Sequence, residues 1–386
     1  MYFDFDYYLK VLTFTWAQKH WPGRNRMLLR LFFFIPLVTL FHTIFFLLDY
    51  IFYPKLFTQK VIAPVFIVGH ARSGTTLMHR LLAADEDRFS FFYYWEMFLP
   101  ALTQRFLVRF IGKFDKALLN SVLENRLKNW DEKTFGPTRH IHNMGLWIPE
   151  EDQFVMNTAF VTQRWSLELP LMHKVDIFHI DSLTAQKRKK WLNHYKRCVR
   201  RQLLANGGDK THLSKNPLMS GWVAGLLEVF PDAKIIVMMR NPIECIPSTL
   251  KLVESHWQRG NWSADDYSES LNALMSVSFD SYRLPKQALT NNPDVPHYFA
   301  DYRDLTAEPK VTVKKTYAAI GLSLSANYQL FLTQQQSKER SHKSSFSYSL
   351  DDYSLAGEKI EAELDDFYIT YQWPRPSART NKEMST

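Results

Sequence analysis

The sequence predicts an α/β fold: a P-loop-like parallel sheet flanked by helices, preceded by an N-terminal membrane-associated helical segment. Three observations predict it. An apolar, β-branched run at 65–69 enters a short loop bracketed by Gly69 and Gly74, and an amphipathic stretch follows directly. Further short apolar runs alternate with helical patterns along the chain, the signature of a parallel sheet with helices on its faces. Near the N-terminus, the segment from Leu31 to Leu48 is apolar, without formal charge, and long enough to cross a bilayer as a helix.

Taken in order, the stretch from Tyr2 to Trp21 is rich in aromatics and mildly amphipathic, which suits a membrane interface. The apolar run that follows is flanked by Trp21, Tyr50 and Tyr53 as interfacial anchors, with Arg24, Arg26 and Arg30 on its N-terminal side. It starts too late for a cleavable signal peptide, and no small-residue cleavage site follows. The arginines favour a cytoplasmic N-terminus, so a single span would carry the remaining chain across the membrane. Asn261-Trp-Ser263 would then be available as a glycosylation sequon. Pro36 offers the alternative of a re-entrant hairpin that keeps both ends on one side, and a buried core helix is the third reading. Expected boundaries are a membrane-associated region at 1–60, a catalytic region at 61–374 and a polar tail at 375–386.

A strand at 65–69 and a helix at 74–84 come next. The apolar positions Trp222, Leu226, Leu227 and Phe230 form a helical pattern that stops at Pro231. A strand at 233–239, a helix at 242–253, a strand at 298–302 and a helix at 311–320 complete the alternation. Between 98 and 205 the pattern is helical and aromatic without obvious strands. Within it, Lys187 to Lys190, Arg197, Arg200 and Arg201 recur at helical spacing and read as a solvated helix face.

Composition narrows the function classes. The formal net charge of +8 and pI near 9.2 suit an anionic ligand or an anionic membrane surface. Nucleic acid is not expected as a partner, because no Lys/Arg-rich tract is interleaved with aromatics. The two cysteines, Cys198 and Cys245, fit neither a disulfide framework nor a metal-ligand spacing, so no metal site is expected.

The loop at 69–76 carries the chemistry. A loop that opens a helix presents backbone N–H groups at a positive terminus, where an anion binds well. Its spacing nearly fits the nucleoside-triphosphate pattern G-x-x-x-x-G-K-[ST], but Thr75 stands where the lysine belongs. That lysine reaches the β- and γ-phosphates, so its replacement argues against hydrolysis of ATP or GTP. Arg72, Ser73, Gly74, Thr75 and Thr76 remain as a cradle for a phosphate on some other nucleotide.

The loop resembles the 5′-phosphosulfate-binding loop of the PAPS-dependent sulfotransferases of the broad bacterial and Golgi-type group. Its usual form is close to P-R-S-G-T-T, and Ala71 here replaces the proline. A second motif supports the resemblance: Ala233-Lys-Ile-Ile-Val-Met-Met-Arg240-Asn-Pro242, followed by Ser248. In that family the strand ends in R-[DN]-P, and the arginine and a serine eight residues later hold the nucleotide 3′-phosphate. A guanidinium suits such a bidentate clamp. Lys215-Asn-Pro217 resembles the family's K-x-P, although a solvated turn lysine would look the same, and Tyr302-Arg-Asp-Leu305 resembles its Y-E-D-L. The resemblance runs from about residue 65 to about residue 350.

It implies in-line transfer of a sulfuryl group from PAPS (3′-phosphoadenylyl sulfate, a co-substrate) to a hydroxyl acceptor. The apolar segment points to a lipid, a glycolipid or another amphiphile. Arg72, Lys215 and the loop N–H groups would stabilise the leaving phosphate. Glu96 is the first expectation for the carboxylate base; Glu150 and Glu151, in Pro149-Glu-Glu-Asp152, are the second, and His140 and His142 are reserves. Lys343 would lie on a basic loop over the nucleotide, and the helical block at 98–205 would shape the acceptor pocket. PAPS is made in the cytosol, which favours a membrane-bound enzyme facing the cytosol over a Golgi type II, lumenal one. The competing readings are a P-loop kinase or other NTPase, and a non-catalytic membrane scaffold.

Overall fold

The computed structural model describes residues 1–139, 144–339 and 357–375. Lys343, His140 and His142 lie outside the described residues. Five strands form one sheet: β1 (Val65–Gly69), β2 (Phe89–Ser90), β3 (Thr211–Lys215), β4 (Lys234–Met239) and β5 (His297–Asp301). All neighbours are parallel, in the order β2-β3-β1-β4-β5. The alternation along β1 explains the layering. Phe66 and Val68 face one apolar cluster with Ile235 and Val237; Val65 and Ile67 face another with Leu213, Ile236 and Met238. Sheets covered on both faces carry continuous apolar strands, and β1 and β4 do.

Two strands were not foreseen. β3 reads Thr-His-Leu-Ser-Lys, too polar for a buried strand by composition, yet it is buried beside β1 because its polar side chains find partners inside. β2 is two residues long, below what periodicity can register. The helix after β4 runs from Pro242 to Arg259, past the expected end and through Pro247.

The N-terminal region also departs from expectation. Helix Phe5–Ala17 packs one apolar face into the protein and leaves Phe5, Leu9 and Trp16 exposed on another. Tyr7, Val11 and Phe14 are buried in the same cluster as Phe66 and Val68, and Asp4 caps the helix while accepting from Trp191 Nε1 at 2.6 Å. The helix from Arg24 to Phe52 is continuous over 29 residues, so Pro36 does not turn it back. A π-turn at Arg30–Phe34 precedes the proline, and there the Ile35 N–H donates to Arg30 O, one residue beyond the α-helical partner. Such a widened turn accommodates the missing donor and the ring. Nor is this a core helix, since only 17% of its apolar window is buried.

Three ties pin that helix to the rest of the protein. Arg30 pairs with Glu168, His42 meets Gln104 Nε2 at 3.0 Å, and the fully buried Asp49 accepts from Arg201 Nε at 2.7 Å. At about 1.5 Å per residue these ties spread over roughly 28 Å of helix axis. Arg201 therefore leaves the solvated face of helix Ala185–Ala205, where it was expected, for the interior.

Candidate functional site

The site lies where the strands end. β1 runs into the glycine-bracketed loop, β3 ends on Lys215, β4 stops one residue before Arg240, and β5 stops one residue before Tyr302. Parallel sheets present ligand sites at this carboxyl edge.

The loop's conformation demands its glycines. Gly69 has φ +133°, and a Cβ there would stand 2.4 Å from the Met238 carbonyl oxygen. Gly74, at φ +96°, is the N-cap of helix Thr75–Ala83, and a Cβ would stand 2.4 Å from the Tyr302 ring. Arg72 also adopts a left-handed conformation, φ +69°, which costs about 1–3 kcal/mol and persists at ligand-binding loops. The Ser73 hydroxyl is buried without a partner. An orphaned buried donor, a helix N-terminus and a cradle that a Cβ would fill suit an anionic phosphate group.

Arg240 closes one side. It donates to the Arg72 carbonyl at 3.0 Å and to Glu244 at 2.9 Å, and its guanidinium stacks 4.4 Å over the Tyr302 ring. Ser248 is buried one turn beyond Cys245, whose thiol faces the Arg72 carbonyl at 3.7 Å, so that helix turns this side to the loop.

On the other side the structure gathers Lys215, Glu150, Glu151 and Thr76. The fully buried Lys215 ammonium donates to Glu150 Oε1 at 2.6 Å, Glu151 Oε1 at 3.3 Å and the Thr76 hydroxyl at 3.4 Å. Burial alone would lower the lysine pKa. The Glu151 and Glu150 carboxylates outweigh that, so it stands above its ordinary value and the amine stays charged. A solvated turn lysine, the alternative, does not describe this residue. Glu151 keeps a fifth of its side chain exposed, and its other oxygen accepts from Gln163 at 3.4 Å; Glu150 is buried.

Glu96 is not among them. Its carboxylate accepts from the Tyr93 N–H at 3.0 Å, Gln202 Nε2 at 3.1 Å and the buried Arg105 at 3.4 Å. Both oxygens are committed to closing the first turn of helix Tyr94–Phe98 and holding Arg105 in the core.

Two features behind Lys215 escaped the sequence analysis. Asp152, next to the two glutamates, accepts from Tyr195, from His212 Nε2 at 3.2 Å and from Ser214 at 3.0 Å. The alternation of His212 and Ser214 in β3 was its available signal. His79 is buried with neither ring nitrogen partnered. Burial, with Lys215 nearby, holds its pKa well below the ordinary value, so the ring is neutral.

A cleft of about 450 Å³ opens along helix Arg24–Phe52, lined in part by Phe34, Val38, Met97, Phe98, Arg164 and Trp165, and not by Lys215, Glu150, Glu151 or the loop. Part of the helical block at 98–205 therefore walls this cleft, whereas its first two helices stand away from it with exposed side chains. Among the described residues no group of three or more His, Cys, Asp or Glu side chains could hold a metal ion.

Residues 64–326 match the model of the sulfotransferase family. The omega-hydroxy-beta-dihydromenaquinone-9 sulfotransferase Stf3 of Mycobacterium bovis is 25% identical over 332 residues, covering 83% of this chain and 79% of the relative. Its counterpart from Mycobacterium tuberculosis matches equally. Sulfotransferase STF9 from Mycobacterium avium shares the fold with a TM-score of 0.72 at 19% identity, over 97% of this chain and 93% of that one. Sulfotransferase STF1 from Mycobacterium tuberculosis H37Rv gives 0.65 at 21% identity, over 93% and 91%.

Proposed function

The chain belongs to the sulfotransferase family, and we propose that it moves a sulfuryl group from PAPS to the hydroxyl of an amphiphilic lipid. The observation that carries this reading is the Lys215 ammonium held between Glu150, Glu151 and Thr76 at the head of the phosphate loop. PAPS supplies the activated sulfuryl group and leaves as adenosine 3′,5′-bisphosphate. The N–H groups that open helix Thr75–Ala83, with Ser73, Thr75, Thr76 and Arg72, hold its 5′-phosphate side. Arg240 and Ser248 hold the 3′-phosphate, and Lys343 remains a proposed contact.

Lys215 donates to the oxygens on which charge grows as the bond to sulfur breaks in line with the incoming hydroxyl. Glu151, the more accessible carboxylate, takes the proton of that hydroxyl; Glu150 keeps Lys215 charged and oriented. Glu96 holds the wall of the pocket and takes no proton.

The largely apolar cleft along helix Arg24–Phe52 supports a lipid acceptor, and the substrate named for the Mycobacterium bovis relative is a hydroxylated lipid. The proposed units are a membrane-associated region at 1–60 and a catalytic region at 61–374, the latter on the cytosolic face where PAPS is made. Calorimetry tests the donor, with adenosine 3′,5′-bisphosphate expected to bind and ATP to bind weakly; the reverse order refutes the reading. Transfer of label from [35S]PAPS into lipid extracts tests the acceptor, and label confined to water-soluble products refutes the lipid.

A further inference from the structure

Helices Leu102–Leu118 and Val122–Phe135 form a hairpin whose residues from 106 to 134 are nearly all exposed. Many of the exposed side chains are large and apolar. Phe106, Phe110 and Phe114 recur every fourth residue along one helix, joined by Leu118 at its end, and Leu123 and Trp130 stand out from the other. Two short helices with no apolar face covered are marginal in water, and an exposed apolar patch of this extent marks a surface that meets something.

The hairpin is nonetheless firmly built. Asp115 is buried at the turn and accepts from the Leu123 and Glu124 N–H groups at 3.0 and 2.9 Å. Asp131 is buried at the base and accepts from the Leu146 N–H at 2.7 Å. The start of the hairpin is tied to the long N-terminal helix, because Asp49 accepts from the Leu102 and Thr103 N–H groups at 3.0 and 2.8 Å. The apolar outer face of helix Arg24–Phe52, with Phe33, Leu37 and Ile51 exposed, thus continues into the hairpin.

Charge selects the occupant. Arg109, Lys113, Lys116, Arg126, Lys128 and Lys133 are exposed on the hairpin, against the exposed acids Glu124 and Glu132. Long basic side chains among aromatics suit an anionic lipid surface, where the stems lie in the apolar layer and the charges reach the headgroups. The ties at Arg30, His42 and Asp49 run along the N-terminal helix, so it lies against the protein and does not project from it.

We propose that the 102–135 hairpin and the outer face of helix Arg24–Phe52 form one membrane-inserting surface, on which the protein rests in a single anionic leaflet without spanning the bilayer. The proposal extends the membrane placement above and does not depend on the sulfuryl-transfer reading. The full chain is tested by flotation with phosphatidylcholine vesicles, with and without about a third of phosphatidylglycerol. The variant Phe106→Ser/Phe110→Ser/Phe114→Ser is expected to lose about tenfold or more in vesicle binding. Binding of the natural protein is expected to weaken with salt and without the anionic lipid.

A second variant, Phe110→Cys, is labelled with a polarity-sensitive fluorophore, which buried Cys198 and Cys245 do not take up. Its emission is expected to shift to the blue on vesicles and to be quenched by spin-labelled acyl chains. Protease added outside reconstituted vesicles is expected to remove tags from both termini. Unchanged vesicle binding by the triple variant, a label that stays in water, or one protected terminus would each overturn the proposal. Conversion of a dimer to a monomer by the triple variant, with vesicle binding intact, would assign the surface to a second copy of the chain.

Discussion

Replacing Lys215 by Met removes the ammonium but keeps an unbranched side chain of similar length. Three contacts go with it, to Glu150, Glu151 and Thr76 at 2.6, 3.3 and 3.4 Å. Deleting one donor to the developing negative charge lowers kcat by about 100- to 1,000-fold. Stability falls as well. Glu150 is buried, and removing one partner of a buried ion pair costs about 3–5 kcal/mol. The two losses separate in a double-variant cycle: Lys215→Met with Glu150→Gln also removes the carboxylate charge that faced the ammonium, so the unfolding midpoint recovers while kcat does not. The assay is initial-rate transfer from [35S]PAPS at saturating donor, beside urea unfolding of the same preparations. A Lys215→Met enzyme within about threefold of the natural kcat refutes the role in charge stabilisation. A double variant no more stable than the single one refutes the account of the pair.

Four further predictions follow from the geometry. Arg240→Ala removes a guanidinium poised for bidentate contact and is expected to weaken adenosine 3′,5′-bisphosphate binding by about 10- to 100-fold in calorimetry, with Ser248→Ala weakening it less. Glu151→Gln is expected to abolish turnover while leaving nucleotide affinity intact; Glu96→Gln is expected to lower the unfolding midpoint and keep most of kcat, and full loss of kcat in the latter would return Glu96 to the base role. Gly74→Ala meets the Tyr302 ring and a φ of +96°, so binding of the bisphosphate is expected to fall sharply, with about 1–3 kcal/mol lost in unfolding experiments. The fourth concerns pH. Burial lowers the pKa of His70 to about 4, so between the unfolded value near 6.5 and pH 4 the unfolded chain binds a proton that the folded one refuses. That contribution is complete above pH 6.5 and lost as pH falls towards 4, and His70→Asn is expected to flatten the acid side of the stability profile.

Much of the proposed nucleotide side was legible in the sequence because its determinants are local. Gly69 and Gly74 carry positive φ, the β-branched run announces β1, and the Arg240-Asn-Pro turn follows a strand whose apolar character is continuous. The proposed catalytic side was less legible because its determinants are contacts across long separations. Glu150 meets Lys215 from 65 residues away, and Glu96 is committed to Gln202 from 106 residues away. A carboxylate near a loop looks the same in sequence whether it faces substrate or caps a helix. β3 was missed for a related reason: His212 and Ser214 are polar by composition, and only the buried Asp152 makes them compatible with the interior.

The sequence by itself determined the α/β class, the glycine-bracketed loop with threonine in the lysine's place, and the presence of a long apolar helix, because these depend on residue type at short spacing. Only the tertiary structure decided which carboxylates meet Lys215, since burial and hydrogen bonding assign roles that identity leaves open. It also decided how that apolar helix sits. Buried pairs such as Asp49 with Arg201 hold it alongside the domain, and a charge inside an apolar helix can take that place only when its partner arrives from elsewhere in the fold.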